Sequence, residues 1–110
     1  MTTIKYDLNN YTVELTGHAG YDVPGKDIVC AGVSTLFFTL VNTLDEMGRD
    51  RIRPLHPRVW MGDGEAGVTA RVDDDNREKV RTVFETVAAG FRMMAEKYPE
   101  NVKFEIMRNA

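Results

Sequence analysis

"YTVELTGHAGYDVPGKDIVCAGVSTLFFTLVNTL", Tyr11 to Leu44, decides how this chain folds, because its apolar residues change period halfway along. Tyr11, Val13 and Leu15 alternate with Thr12, Glu14 and Thr16, the two-residue repeat of a strand with one buried face. From Ile28 the spacing becomes helical. Val29, Val33, Leu36, Phe37, Leu40, Val41 and Leu44 make one stripe, and Gly48 suits the stop after Met47. Between the two periods, Gly17 to Asp27 carries three glycines, a proline and one of the chain's two histidines, the composition of a loop. His18 therefore follows a strand end, and Cys30, the single cysteine, falls in a helix's first turn.

Upstream, "TTIKYDLNN" adds a strand paired with the first through a polar Asn9-Asn10 turn. Downstream, Gly48 to Trp60 holds two prolines and four arginines and reads as an exposed connection. "WMGDGEAGVTARV" reads as a hairpin turning at Asp63-Gly64 and leading into Val68, Ala70 and Val72. Val80, Val83, Phe84, Val87, Phe91, Met94 and Ala95 predict a second amphipathic helix, capped by Asp75 or Asn76 and ended by Pro99. "VKFEIM" closes as a strand with Val102, Phe104 and Ile106 on one face. The predicted order is ββαββαβ, an α+β fold: a mostly antiparallel sheet with two amphipathic helices sharing one core, in a single domain over residues 1–110.

Bulk composition narrows the functional classes. Hydrophobic residues at 43% and charged residues at 28% are ordinary globular usage, which excludes a disordered or fibrous chain. A net charge of -3 gives no global attraction to phosphate backbones or anionic lipid, so neither nucleic acid nor a membrane is an expected partner. One cysteine forms no internal disulfide and no thiolate-rich zinc site, which suits a reducing cytoplasm and implies no metal or cofactor. "MTTIKYDLNN" has no basic segment followed by an apolar one, and no run of 18 apolar residues is evident, so secretion and membrane insertion are not expected.

The loop admits two chemistries. "GYDVPGKD", Gly20 to Asp27, falls one residue short of the G-x-x-x-x-G-K-[ST] phosphate loop. The missing residue matters, because Asp27 stands where a hydroxyl would hold magnesium and puts a negative charge beside the phosphates. The other chemistry is nucleophilic. Unpaired amides and the dipole at a helix start favour a thiolate at Cys30, and Asp27 is placed to cap that helix. His18 could act as base toward the thiol and acid toward a leaving amine. The two lie twelve positions apart, a reach of about 40 Å if extended, so the loop must turn back, which Gly20, Pro24 and Gly25 allow. Ser34, one turn after Cys30, could orient His18 or a substrate carbonyl, and backbone amides around Cys30 could form an oxyanion hole. A lone cysteine is also commonly a small buried apolar residue, and spacing alone leaves that open.

At these residues the sequence resembles the ribosomal-processing cysteine proteases called Prp. Gly17-His18-Ala19-Gly20-Tyr21, then Gly25 through Ala31, then Ser34, follow that family's pattern, and a similar element order extends the likeness over nearly the whole chain. The resemblance implies a Cys-His endopeptidase that removes the N-terminal extension of large-subunit ribosomal protein twenty-seven. By position, Cys30 would be nucleophile and His18 its base, with Gly17, Asp27 and Ser34 supporting. It implies a homodimer and a mobile substrate loop, here carrying Gly20, Tyr21, Pro24, Gly25 and Lys26. Asp22 to Pro24 and Gly32 depart from the pattern, so a phage structural protein stays open as substrate, as does a non-catalytic ribosome-, RNA- or protein-binding module using the same loop.

Elsewhere the simpler readings are preferred. His56, between Pro54 and Pro57, is expected to face solvent, as are Arg49, Arg51, Arg53 and Arg58. Asp73 to Asp75 lack calcium-loop spacing and read as a helix cap. Met93 and Met94 are expected in core or dimer contacts, and Trp60 in the core or at a subunit interface.

Overall fold

A computed structural model describes residues 1–23 and 26–108. The order is β1 (Thr2–Asp7), β2 (Thr12–Thr16), α1 (Ile28–Arg49), β3 (Arg58–Gly62), β4 (Glu65–Thr69), α2 (Arg77–Lys97) and β5 (Val102–Ile106), the ββαββαβ α+β arrangement expected. The five strands form one sheet in the order β3-β4-β2-β1-β5. All neighbours are antiparallel except β1 and β5, which run parallel. A crossover through α2 is what lets the last strand lie parallel beside the first.

Register explains the core. Tyr6 pairs with Val13 and Val13 with Val68, while Ile4 pairs with Phe104, so apolar side chains line up across one face. Against that face α1 buries Val29, Val33, Phe37, Leu40 and Leu44, and α2 buries Val80, Phe84, Val87 and Phe91. Each fully buried large side chain removes roughly 1.5–3 kcal/mol of unfavourable hydration, so this layer contributes most of the stabilisation. The helices touch closely because small residues face long ones. A β carbon on Gly90 would come within 2.6 Å of Leu36, and one on Gly32 within 2.9 Å of the Met94 methyl. The sheet's other face carries Lys5, Glu14, Arg58 and Trp60 and is uncovered among the described residues.

Several local expectations are corrected. Gly48 does not stop α1, which runs to Arg49 with Asp50 as cap. It is a glycine because a β carbon there would meet the Leu55 carbonyl oxygen at 2.4 Å. Arg58 to Trp60 belong to β3 rather than to a connection, and β4 ends at Thr69, short of Val72. Trp60 lies outside the helix-covered core, across Gly67, with the Arg58 guanidinium 5.7 Å from its ring. Asn76 occupies the cap position of α2 without a capping side-chain bond. Asp73 Oδ1 accepts the Asp75 and Asn76 amides instead, both at 3.0 Å. Met94 packs on Gly32, while Met93 is exposed.

By length and composition alone α1 is apolar enough to cross a membrane, with a mean hydropathy of 1.6 over 18 residues, a property it shares with core helices of soluble proteins. Only 28% of that window is buried within the chain. From Ile28 to Leu44 it carries no charged residue, although Ile28 and Phe38 are exposed.

Candidate active site

The site is built from three chain segments that meet at one edge of α1. The first is the end of β2. Gly17 adopts φ +85°, a conformation open to glycine, and a β carbon there would lie 2.2 Å from the Met1 carbonyl oxygen. Its amide donates to the Gly64 carbonyl at 2.7 Å. His18 leaves this pinned residue with its side chain largely exposed, at 74%.

The second segment is the start of α1. Asp27 is the N-cap, in extended conformation, and its Oδ1 accepts the Cys30 amide at 2.8 Å. Its Oδ2 accepts the Tyr21 amide at 3.1 Å and the Asp22 amide at 3.4 Å, so one carboxylate ties the loop to the helix start. The Cys30 amide foremost, then the Asp22 and Tyr21 amides, hold the Asp27 carboxyl below the usual carboxylate range. Cys30 is exposed, which sets aside the buried apolar alternative. Two of the amides around Cys30 that were expected to offer an oxyanion hole are already engaged. The Cys30 amide is taken by Asp27 Oδ1, and the Ala31 amide by the Asp27 carbonyl at 3.0 Å.

The third segment is the β3–β4 turn. Gly64 takes φ +69°, as the tight Asp63-Gly64 loop requires, and sits against the Nε2 edge of the His18 ring. Together these segments line a pocket of about 140 Å³ holding His18, Cys30 and Ser34, with Gly17, Gly64 and Glu65 at its walls. A larger concavity of about 620 Å³ lies on the open face of the sheet among Lys5, Glu14, Arg58 and Trp60. It contains neither thiol nor histidine; Cys30 and His18 both line the smaller pocket.

Of the loop residues, Gly20 has φ +67° and open space around it, and Lys26 donates its amide to the Val23 carbonyl at 3.0 Å. Tyr21 is half exposed and meets Tyr98 edge-on, with ring centres 5.5 Å apart. Pro24 and Gly25 lie outside the described residues. Asn101 donates its side-chain amide to the Ala19 carbonyl at 2.9 Å, fixing the residue after His18. Tyr98, Asn101, Asp63 and Gly64 escaped the sequence reading as site residues. The Asp63-Gly64 turn was legible as a turn, but nothing local says that it faces His18.

The other candidates are spent elsewhere. His56 is exposed, as expected, and its Nδ1 also lies 2.7 Å from Asp45 Oδ1, while Arg49 binds the same carboxylate at 2.8 Å. Arg49, Arg53 and Arg58 are likewise exposed, whereas Arg51 is half-buried and pairs with Asp73. Among the described residues no group of three or more His, Cys, Asp or Glu could hold a metal.

An exposed thiol on a helix start, sharing a pocket with an imidazole, is an arrangement compatible with nucleophilic catalysis. The chain belongs to the cysteine protease Prp family, whose model matches residues 1–103. The ribosomal processing cysteine protease Prp of Staphylococcus aureus is 29% identical over 91 residues, covering 83% of this chain and 81% of that protein. Its Bacillus subtilis counterpart is 26% identical over 105 residues, covering 90% and 88%. The crystal structure of the Staphylococcus aureus enzyme with a covalently linked product peptide superposes with a TM-score of 0.80 at 25% identity, covering 97% of this chain and all of that one. SMU.848 from Streptococcus mutans gives 0.72 at 35% identity, covering 98% and 93%.

Proposed function

We propose that this protein is a Cys-His endopeptidase that trims a ribosomal protein precursor, with Cys30 as nucleophile and His18 as general base. What carries the reading is that one small pocket takes His18 from the strand end and Cys30 from the helix start, although twelve positions separate them. The Cys30 thiol gives its proton to His18 as Sγ attacks the scissile carbonyl. His18 then returns the proton to the departing amine, and water attacks the acyl-enzyme to release the acid. Asp27 supports the nucleophile indirectly, by fixing where α1 begins. With the Cys30 and Ala31 amides occupied, the Ser34 hydroxyl in the same pocket is the side-chain donor offered to the developing oxyanion.

Relatives named as ribosomal processing proteases support a ribosomal substrate in general terms. We narrow it to the N-terminal extension of large-subunit ribosomal protein twenty-seven, met by the loop from Gly20 to Lys26. A substrate that is built into ribosomes would be met in the cytoplasm, which is the compartment this reading assigns. Homodimerisation is supported by α1, whose exposed Ile28 and Phe38 lie in a stretch without charge. Phe38→Asp converts a dimer to monomer in analytical ultracentrifugation if that face is the contact.

The deciding experiment incubates the protein with peptides spanning the junction between extension and mature ribosomal protein. Cleavage at one bond, lost in Cys30→Ala and in His18→Ala, is the expected result. Cleavage that survives Cys30→Ala sinks the reading.

A further inference from the structure

Contacts from the β3–β4 turn converge on His18. The pairing of Thr16 with Glu65 brings that turn beside the end of β2, and the Gly17 amide locks onto the Gly64 carbonyl at 2.7 Å. The imidazole then rests on Gly64. A β carbon there would come within 3.2 Å of Nε2 and no nearer than 3.7 Å to the ring carbons, so the Nε2 edge faces the turn. On the same side Asp63 Oδ1 lies 3.7 Å from Nε2.

We propose that the Asp63-Gly64 turn is the device that aims His18, with Gly64 as its shelf and Asp63 as a positioning carboxylate. The proposal rests on the Cys30-His18 reading. An acceptor at Nε2 favours the tautomer protonated there, because the hydrogen bond made by one ring nitrogen fixes the state of the other. At 3.7 Å the contact is longer than a hydrogen bond, and the fully exposed Asp63 side chain must turn slightly toward Nε2 to make one. Nδ1 is then the unprotonated nitrogen that takes the Cys30 proton. The remaining charged group at the pocket wall is Glu65, on the strand leaving the turn.

The test follows the ring itself by 15N NMR near neutral pH, alongside steady-state peptide cleavage, in the full chain. Two histidines make assignment through His56→Gln direct. The expected wild-type signature is an Nε2-protonated ring. Asp63→Ala, at a fully exposed position without positive φ, moves the ring toward a mixed tautomer. It lowers kcat about three- to tenfold with KM within about twofold and an unchanged melting temperature. Asp63→Asn, which keeps an oxygen acceptor, recovers most of the loss. Gly64→Ala lowers kcat further, since its new methyl meets Nε2. A wild-type ring protonated at Nδ1, or an Asp63→Ala ring and kcat both indistinguishable from wild type, overturns the proposal. If the wild type cleaves no peptide, the functional reading fails, and the ring's tautomer still decides whether the turn aims it.

Discussion

The chain's two histidines both lie beside an aspartate, yet they have opposite situations. His56 is held by Asp45 at 2.7 Å on a carboxylate already shared with Arg49. His18 stands 3.7 Å from Asp63 across a glycine, with a thiol in the same pocket. Asp45 is held below the usual carboxylate range, first by its hydrogen bond with His56 and then by that with Arg49. One histidine has become a crosslink between α1 and the following connection; the other shares its pocket with a thiol. Each ring has one nitrogen beside a carboxylate, so what separates them is that only His18 has a proton donor such as Cys30 within its pocket.

The sharpest way to break this contrast is to remove each ring in turn. His18→Ala is expected to lower kcat/KM by about 10²- to 10⁴-fold, whereas His56→Ala stays within about twofold. Equal losses from the two would mean that the pocket does not mark the chemistry. Next in size, Gly17→Ala forces a β carbon onto the Met1 carbonyl at a left-handed φ and should cost about 2 kcal/mol or more in urea unfolding. Gly20→Ala meets no atom within 4 Å and should cost about 1 kcal/mol for φ alone.

The acid limb of stability sharpens the comparison at both ends. Asp27 and Asp45 have folded-state pKa values below their unfolded ones. Their stabilisation is therefore full above the ordinary carboxylate range and is lost as pH falls through the lowered folded values. Asp45→Asn should flatten the loss of urea midpoint on acidification. At Asp27 the same pH fall should speed hydrogen exchange at the Tyr21, Asp22 and Cys30 amides before global unfolding. Smallest of all, Gly32→Ala gains helix propensity but must push aside the flexible Met94 methyl, so its unfolding free energy should move by less than about 1 kcal/mol.

What could be read from the sequence was what short-range physics dictates. Alternation in Tyr11 to Leu15 and the helical stripe from Val29 to Leu44 gave the elements, and Asp27 declared itself a cap by lying three residues before Cys30. Gly48 misled because a glycine near a helix end suggests a stop, whereas here it serves an approach by Leu55, which only tertiary packing reveals. The apolar stripe of α1 was legible as its buried side, whereas the exposure of Ile28 and Phe38 on the same helix appears only once the sheet is in place. The Asp63-Gly64 turn was predicted as a turn, but its nearness to His18 is created by the β2–β4 pairing, which leaves no trace in local spacing. Asn101, reaching the Ala19 carbonyl from 82 residues away, was invisible for the same reason.

The parallel placement of β5 against β1 has a temporal consequence. Strand β1 is the second-last in the sheet order and receives its outer neighbour only from residues 102–106, while Asn101 also accepts the Thr2 amide. During synthesis, the first strand and the histidine corner must wait until residues 101–106 have emerged. A nascent chain halted before that point carries its thiol and imidazole without the brace between them.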